Sequence, residues 1–255
     1  MRTIVNKNKL YKCYIGGGYY PCLTPSVIQR NLLENPGWYT AYTPYQAEVS
    51  QGRLESLINY QTMVQELTRL EFSNASLLDE GSAGGEALYM SYNLHEGQRK
   101  KIFLDENVFV PTQAVIETKA KFLNLEVVVG KYSDFFQKYN PAEFFGIIVQ
   151  TPDAKGIVHD FTHFFQKIDE SQTKVVKVVA SDLLALTLTK APGDMGADVC
   201  FGSAQRFGVP MGFGGPYSGF FSTREKNVRK MPGRIIGRSI DADNKMAYRM
   251  ALQTR

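Results

Sequence analysis

Gly196-Ala-Asp-Val-Cys-Phe-Gly-Ser-Ala-Gln-Arg-Phe-Gly-Val-Pro-Met-Gly-Phe-Gly-Gly-Pro216 is the stretch on which the fold turns. Ala197 to Phe201 is an apolar run of strand length, Gly202 to Arg206 a short polar turn, and Gly208 to Pro216 a glycine-rich return into a second apolar run, Tyr217 to Ser222. Short continuous apolar runs bounded by turn residues suit strands covered on both faces. Moving toward the N-terminus, the same kind of run recurs at Val175 to Ala180, Phe144 to Gln150, Leu125 to Val129, Lys101 to Asp105 and Ser76 to Asp79. Helical patterns separate them at Phe161 to Ile168, Pro111 to Leu123 and Ser82 to His95. Strand and helix in alternation predict an α/β domain whose sheet is mostly parallel, with helices on both faces.

The first third of the chain reads differently. Residues 1–23 read as an arm broken by Gly16-Gly17-Gly18 and Pro21, and residues 24–255 as one large domain. Thr24-Pro25 opens a helix to Leu33, with Thr as cap and Pro in the first turn. Residues 35–51 are irregular and carry Trp38, Tyr39, Tyr42 and Tyr45, rings that need a surface to pack against. Leu54, Leu57, Ile58, Val64, Leu67 and Leu70 then fall near the spacing of a long amphipathic helix.

Composition narrows the class of protein. A chain of 255 residues, 44% hydrophobic, can bury a full core. The net charge of +4 is spread without a run of basic residues, which argues against a nucleic-acid surface. Cys13, Cys22 and Cys200 form neither a CxxC pair nor an even set, so reduced thiols are expected. No apolar run reaches the ~18–20 residues of a membrane helix, and no membrane partner is expected. Arg2, Lys7, Lys9 and Lys12, with no acid before Glu34, give a faint hint of an organelle-targeting leader.

Three segments carry chemistry. Asp79-Glu-Gly-Ser-Ala-Gly-Gly-Glu-Ala87 opens a helix after a strand, and its free N–H groups, the Ser82 hydroxyl and Gly84 suit a phosphate. A tight strand-to-helix turn would use the same glycines. Asp182 ends the Val175 to Ala180 strand, where α/β folds bind ligands; a carboxylate there suits a pyridinium nitrogen, or a helix cap. Gln205 follows the next strand, at the turn where pyridoxal-phosphate enzymes of the aspartate-aminotransferase type present their cofactor-binding lysine. An amide nitrogen, its lone pair delocalised into the carbonyl, cannot replace that amine. Lys190, in a Pro/Gly loop before this turn, is the alternative nucleophile and reads more simply as a surface lysine.

Four strings resemble the glycine cleavage system P-protein family: Ile15-Gly-Gly-Gly-Tyr-Tyr20, residues 33–55 from Leu33-Glu-Asn-Pro-Gly-Trp to Gln51-Gly-Arg-Leu-Glu55, Asn74-Ala-Ser-Leu-Leu-Asp-Glu-Gly81, and Gly202-Ser-Ala-Gln-Arg-Phe-Gly-Val-Pro210. The resemblance is to the N-terminal of the family's two homologous halves, where Gln at the turn is the family pattern. It implies a type I pyridoxal-phosphate transferase large domain, a leading segment before Met1, and a small C-terminal domain that this chain lacks. It further implies pyridoxal phosphate held covalently by the lysine-bearing C-terminal half. By the same resemblance glycine would be decarboxylated there, and the aminomethyl group would pass to the lipoylated H-protein. The assembly would be a dimer or heterotetramer, in the mitochondrial matrix of a eukaryote or otherwise in the cytoplasm. By analogy Tyr42, Thr43, Tyr45 and Gln46, with Glu48 a weaker candidate, are lent to the partner half's site. Ser82, Gly84, Asp182 and Gln205 would be the vestige of this half's own. Arg53 and Arg206 are read either as anion contacts or as structural ion pairs. The competing readings are a catalytically inactive partner or regulatory subunit, an enzyme using Lys190, and a phosphate-binding module built on Gly81 to Gly85.

Overall fold

The strands that the sequence marks as uninterrupted apolar runs are the ones buried on both faces. In the computed structural model, which describes residues 1–9, 11–39, 46–95, 98–215 and 217–253, every residue of Phe144–Thr151 and of Val176–Ser181 is buried. They lie at the centre of a seven-stranded sheet made of β1 (Phe72–Ser73), β2 (Lys101–Asp105), β3 (Glu126–Gly130), β4 (Phe144–Thr151), β5 (Val176–Ser181), β6 (Val199–Ser203) and β7 (Gly219–Thr223). The order is β1-β7-β6-β5-β4-β2-β3. Neighbours from β3 to β6 pair in parallel, and β7 runs antiparallel to both β6 and β1.

The two-residue period of the strands sorts their side chains onto two faces. Ile102, Leu104, Val178, Ala180 and Phe201 pack on one side against Ala87 and Leu88 of α2 (Glu80–Leu94) and Ile116 of α3 (Val110–Phe122). On the other side Phe103, Ile147 and Val179 meet Phe164, Phe165 and Ile168 of α4 (Thr162–Glu170). A third cluster joins Val64 of the long helix α1 (Gln51–Thr68), which precedes these, to Cys200 and Phe220. Each buried Leu, Ile or Phe contributes about 1.5–3 kcal/mol through removal from water, so these layers are the main source of stability.

Three elements depart from the sequence reading. The strand expected at Ser76 to Asp79 is instead Phe72–Ser73, and Leu77 makes only an isolated bridge to Gly219. Buried Asn74 redirects the chain: its side chain donates to the Pro232 carbonyl, and the next residue's N–H to Arg234. A hairpin of β8 (Arg234–Ile240) and β9 (Met246–Gln253), not anticipated from sequence, forms a second sheet. Polar side chains of α1 dock it. The Gln61 amide accepts from Ile236 N–H at 2.8 Å and donates to its carbonyl at 3.1 Å, and Gln51 does the same for Tyr248 at 2.8 Å each.

The helix expected over residues 24–33 is a short α segment, Ser26–Ile28, that widens into a π turn, Gln29–Leu33. Among the described residues no helix is long and apolar enough to cross a membrane, and no cluster of His, Cys, Asp and Glu is arranged to hold a metal ion.

Candidate functional site

The C-terminal ends of β4, β5 and β6 and the N-terminus of α2 converge on one cavity, the position at which parallel α/β sheets bind ligands. Gln150, Ser181, Asp182, Ser203 and Glu80 line it together with Tyr20 from the N-terminal arm, and only about 10 Å³ remains. That is room for about one water molecule.

Gln205 opens the tight turn Gln205–Phe207 after β6 and is fully buried. Its amide meets both backbone groups of Tyr20: Tyr20 N–H donates to Oε1 at 3.0 Å, and Nε2 donates to the Tyr20 carbonyl at 2.8 Å. Beside it, Arg206 Nε and Nη2 donate to the two carboxylate oxygens of Asp182, each at 2.9 Å. The same guanidinium lies 3.6 Å from the centre of the Tyr20 ring. Forked Arg–carboxylate bonds are among the stronger polar contacts in proteins, and a cation over an aromatic face adds to them. Burial, reinforced by the negative charge of Asp182 and Glu80, pushes the Tyr20 phenol up to about 12.

At the start of α2, Asp79 is the cap, and its Oδ1 accepts from Ser82 N–H at 2.6 Å. The amide that suited a phosphate therefore already has an anionic partner. Gly84 serves packing: a Cβ there would lie 2.8 Å from Thr112 Cγ2 and 3.2 Å from the Phe201 ring. Glu80, one residue into the helix, turns its carboxyl toward the arm. Loss of solvent, then the proximity of Asp182 and Asp79, pushes that carboxyl up to about 8. The positive end of the helix does not offset these.

Measured against pyridoxal phosphate, the residues present do not fit. There is no lysine at the turn, both Asp182 oxygens are taken by Arg206, and two acids stand where a phosphate would sit. Tyr20 fills the remaining space.

The structure thus brings Asp182 and Gln205 together around Tyr20, and sets Ser82 and Gly84 on the first turns of α2. Gln46 is exposed and precedes the short turn Ala47–Val49, which carries an exposed Glu48; Tyr42, Thr43 and Tyr45 lie outside the described residues. Arg53 makes no ion pair among the described residues: Nη2 donates to the Trp38 carbonyl at 2.8 Å, and the guanidinium is 5.1 Å from the Trp38 ring centre. Lys190 donates to Thr162 at the start of α4 and pairs with Asp160, and it does not line the cavity at Gln205. Tyr20 and Glu80 are the site residues that sequence reading missed. Glu80 was legible as a second acid inside the phosphate-like string, whereas Tyr20 meets Gln205 across 185 residues and left no local signal.

This sheet, with its one reversed strand and its small cavity at the C-terminal strand ends, is the large domain of the pyridoxal-phosphate-dependent transferase fold. Aspartate aminotransferase from Thermus thermophilus superposes with a TM-score of 0.55 at 14% identity, over 83% of this chain and 57% of that one. L-threonine-O-3-phosphate decarboxylase from Porphyromonas gingivalis does so at 0.56 and 11%, over 84% and 60%. These show the fold alone. A crystal structure of glycine decarboxylase (P-protein) of the glycine cleavage system, in inhibitor-bound form, matches far better: TM-score 0.87, 30% identity, 99% of this chain and 57% of that one.

The family model described as glycine cleavage system P-protein matches residues 1–255, and the chain belongs to that family. It is 50% identical to glycine dehydrogenase (decarboxylating) of Photobacterium profundum over all 255 residues, 26% of that protein. Against the mitochondrial glycine dehydrogenase (decarboxylating) of Pisum sativum it is 51% identical over 24%. The chain spans about a quarter of the length of these curated relatives.

Proposed function

We propose that the chain is the part of a glycine decarboxylase without the cofactor-binding lysine, working only beside the half of the same family that carries it. The observation that supports this most directly is Gln205: at the turn where the fold presents its cofactor lysine, this chain carries a buried amide already engaged with its own backbone. Pyridoxal phosphate, held in the other half, supplies an electron sink for loss of carbon dioxide from glycine. The role of this chain is to complete the wall of that site and keep water from it. Tyr42, Thr43, Tyr45 and Gln46 are the proposed contributors, their hydroxyl and amide groups orienting the substrate carboxylate or the cofactor. The aminomethyl acceptor is the lipoylated H-protein, the assembly is a dimer or heterotetramer, and in a eukaryotic host its place is the mitochondrial matrix. The domain division is proposed likewise, with residues 1–23 as an arm and 24–255 as the large domain.

The test is exchange of labelled bicarbonate into the glycine carboxyl. Exchange is expected when the chain is mixed with a lysine-bearing half, and not with this chain by itself. Turnover by this chain in isolation, or a borohydride-stable cofactor adduct at Lys190, would overturn the reading.

A further inference from the structure

We infer that Gly18 to Tyr20 of the N-terminal arm are the resident occupant of this chain's own cofactor cradle, seated there by Gln205 and Arg206, so that the cradle takes up no pyridoxal phosphate. The inference goes beyond the proposed reaction, since it concerns this chain without glycine or partner.

The side chains match the arm as a ligand is matched. A primary amide carries one acceptor and one donor face, the same pair that a peptide group offers. Gln205 uses both on a single residue, with Tyr20 N–H at 3.0 Å and the Tyr20 carbonyl at 2.8 Å. Lysine at this position would donate only and would leave the Tyr20 N–H without its acceptor; glutamate would accept only. The Tyr20 ring takes the remaining volume, against the Arg206 guanidinium, which Asp182 holds flat from the other end. Gly18 admits the arm at this depth: its φ is +95°, and a Cβ would fall 3.2 Å from Glu80 Oε2 and 3.4 Å from the Phe109 ring. Within the segment Tyr19 packs edge-on against Tyr217 at 4.9 Å, and beyond it the Thr24 hydroxyl donates to the Gly208 carbonyl at 2.6 Å. Residues 205–208 and 217 thus hold the inserted segment itself and the chain that leaves it. Gln205 is then a positioning residue for the arm, and not merely the absence of a nucleophile.

Hydrogen exchange read by mass spectrometry on the full 255-residue chain tests this. A peptide covering residues 18–22 is expected to exchange about tenfold or more slowly than its unstructured rate. Millimolar pyridoxal phosphate should leave it unchanged. Gln205→Met, similar in shape but without the amide, should bring that peptide close to the unstructured rate while a peptide from β4 stays protected. Should Gln205→Met also expose β4, Tyr20→Gly decides, because it removes the ring from the arm side and leaves the core intact; at least severalfold faster exchange at 18–22 is expected. Three results would overturn the inference: a wild-type arm exchanging at the unstructured rate, full protection persisting in Tyr20→Gly, or pyridoxal phosphate releasing the arm while slowing exchange over residues 79–83. Each is independent of whether glycine exchange is ever observed.

Discussion

Glu80 is an acid held far from its ordinary state. Its carboxyl titrates near 8 in the folded chain against 4.5 for the free side chain, because the arm and α2 enclose it beside Asp182 and Asp79. An acid with a raised folded pKa holds a proton that the unfolded chain has released, so its effect on stability is set by the interval between the two values. Stability should therefore fall as pH rises from about 4.5 to about 8, then level off as far as this group is concerned. Glu80→Gln, neutral at every pH, is expected to match the wild type near pH 4 and to exceed it by roughly 1–3 kcal/mol at pH 8 and above, measured by urea unfolding. At the same scale, Arg206→Lys keeps the charge but loses the fork to Asp182 and the flat face over Tyr20. A loss of about 1–2 kcal/mol is expected, and the share owed to the fork should disappear when Asp182→Asn is already present, as a double-mutant cycle would report. Individual residues were the least legible part of the sequence. Gly84 read as part of a phosphate loop because glycine marks both a turn and a close approach, and its contact with Phe201 lies on a strand more than a hundred positions away.

The elements were legible wherever their signals were local. Lys101–Asp105 falls where the apolar run places it, and α2 and α3 begin within two residues of the boundaries read from their first turns. The failures share a cause. β1 is two residues long and owes its position to Asn74 and to β7, and the β8–β9 hairpin is docked by Gln61 and Gln51, 175 and 197 residues away. Gln61 lies on the face of α1 that amphipathic reading would give to an apolar residue, yet it is buried. Gln61→Ala should cost about 1–3 kcal/mol, since it leaves the N–H and carbonyl of Ile236 buried without partners. Hydrogen exchange is then expected to rise in β8 before it rises in β5. Phe201→Ala, which empties the space between β6, α2 and Gly84, should cost about 3–5 kcal/mol by thermal or urea unfolding.

At the scale of the whole molecule, the alternation of strands and helices gave the fold class and the four quoted strings gave the family. The occupied cradle was readable from neither. It arises because Tyr20 of the arm meets the turn after β6 across 185 residues, a non-local closure that no window of sequence reports. In the proposed assembly, the consequences of the aromatic segment appear only with the lysine-bearing half present. Tyr42→Phe or Tyr45→Phe should then lower glycine–bicarbonate exchange about tenfold or more, the effect of losing one well-placed hydrogen bond in the transition state, with little change in the melting temperature of this chain.

Gln51, Gln61 and Gln205 fasten Tyr248, Ile236 and Tyr20 by the same device, one neutral amide against both backbone groups of a distant residue. None of the three carries charge, so concentrated salt has nothing to screen in them. The Arg206–Asp182 fork, partly open to solvent, is the joint that ionic strength reaches. High salt should therefore leave the hairpin and the backbone seat of the arm closed while weakening the charged pair beneath the Tyr20 ring, which lowers the stability of the arm and not that of the hairpin.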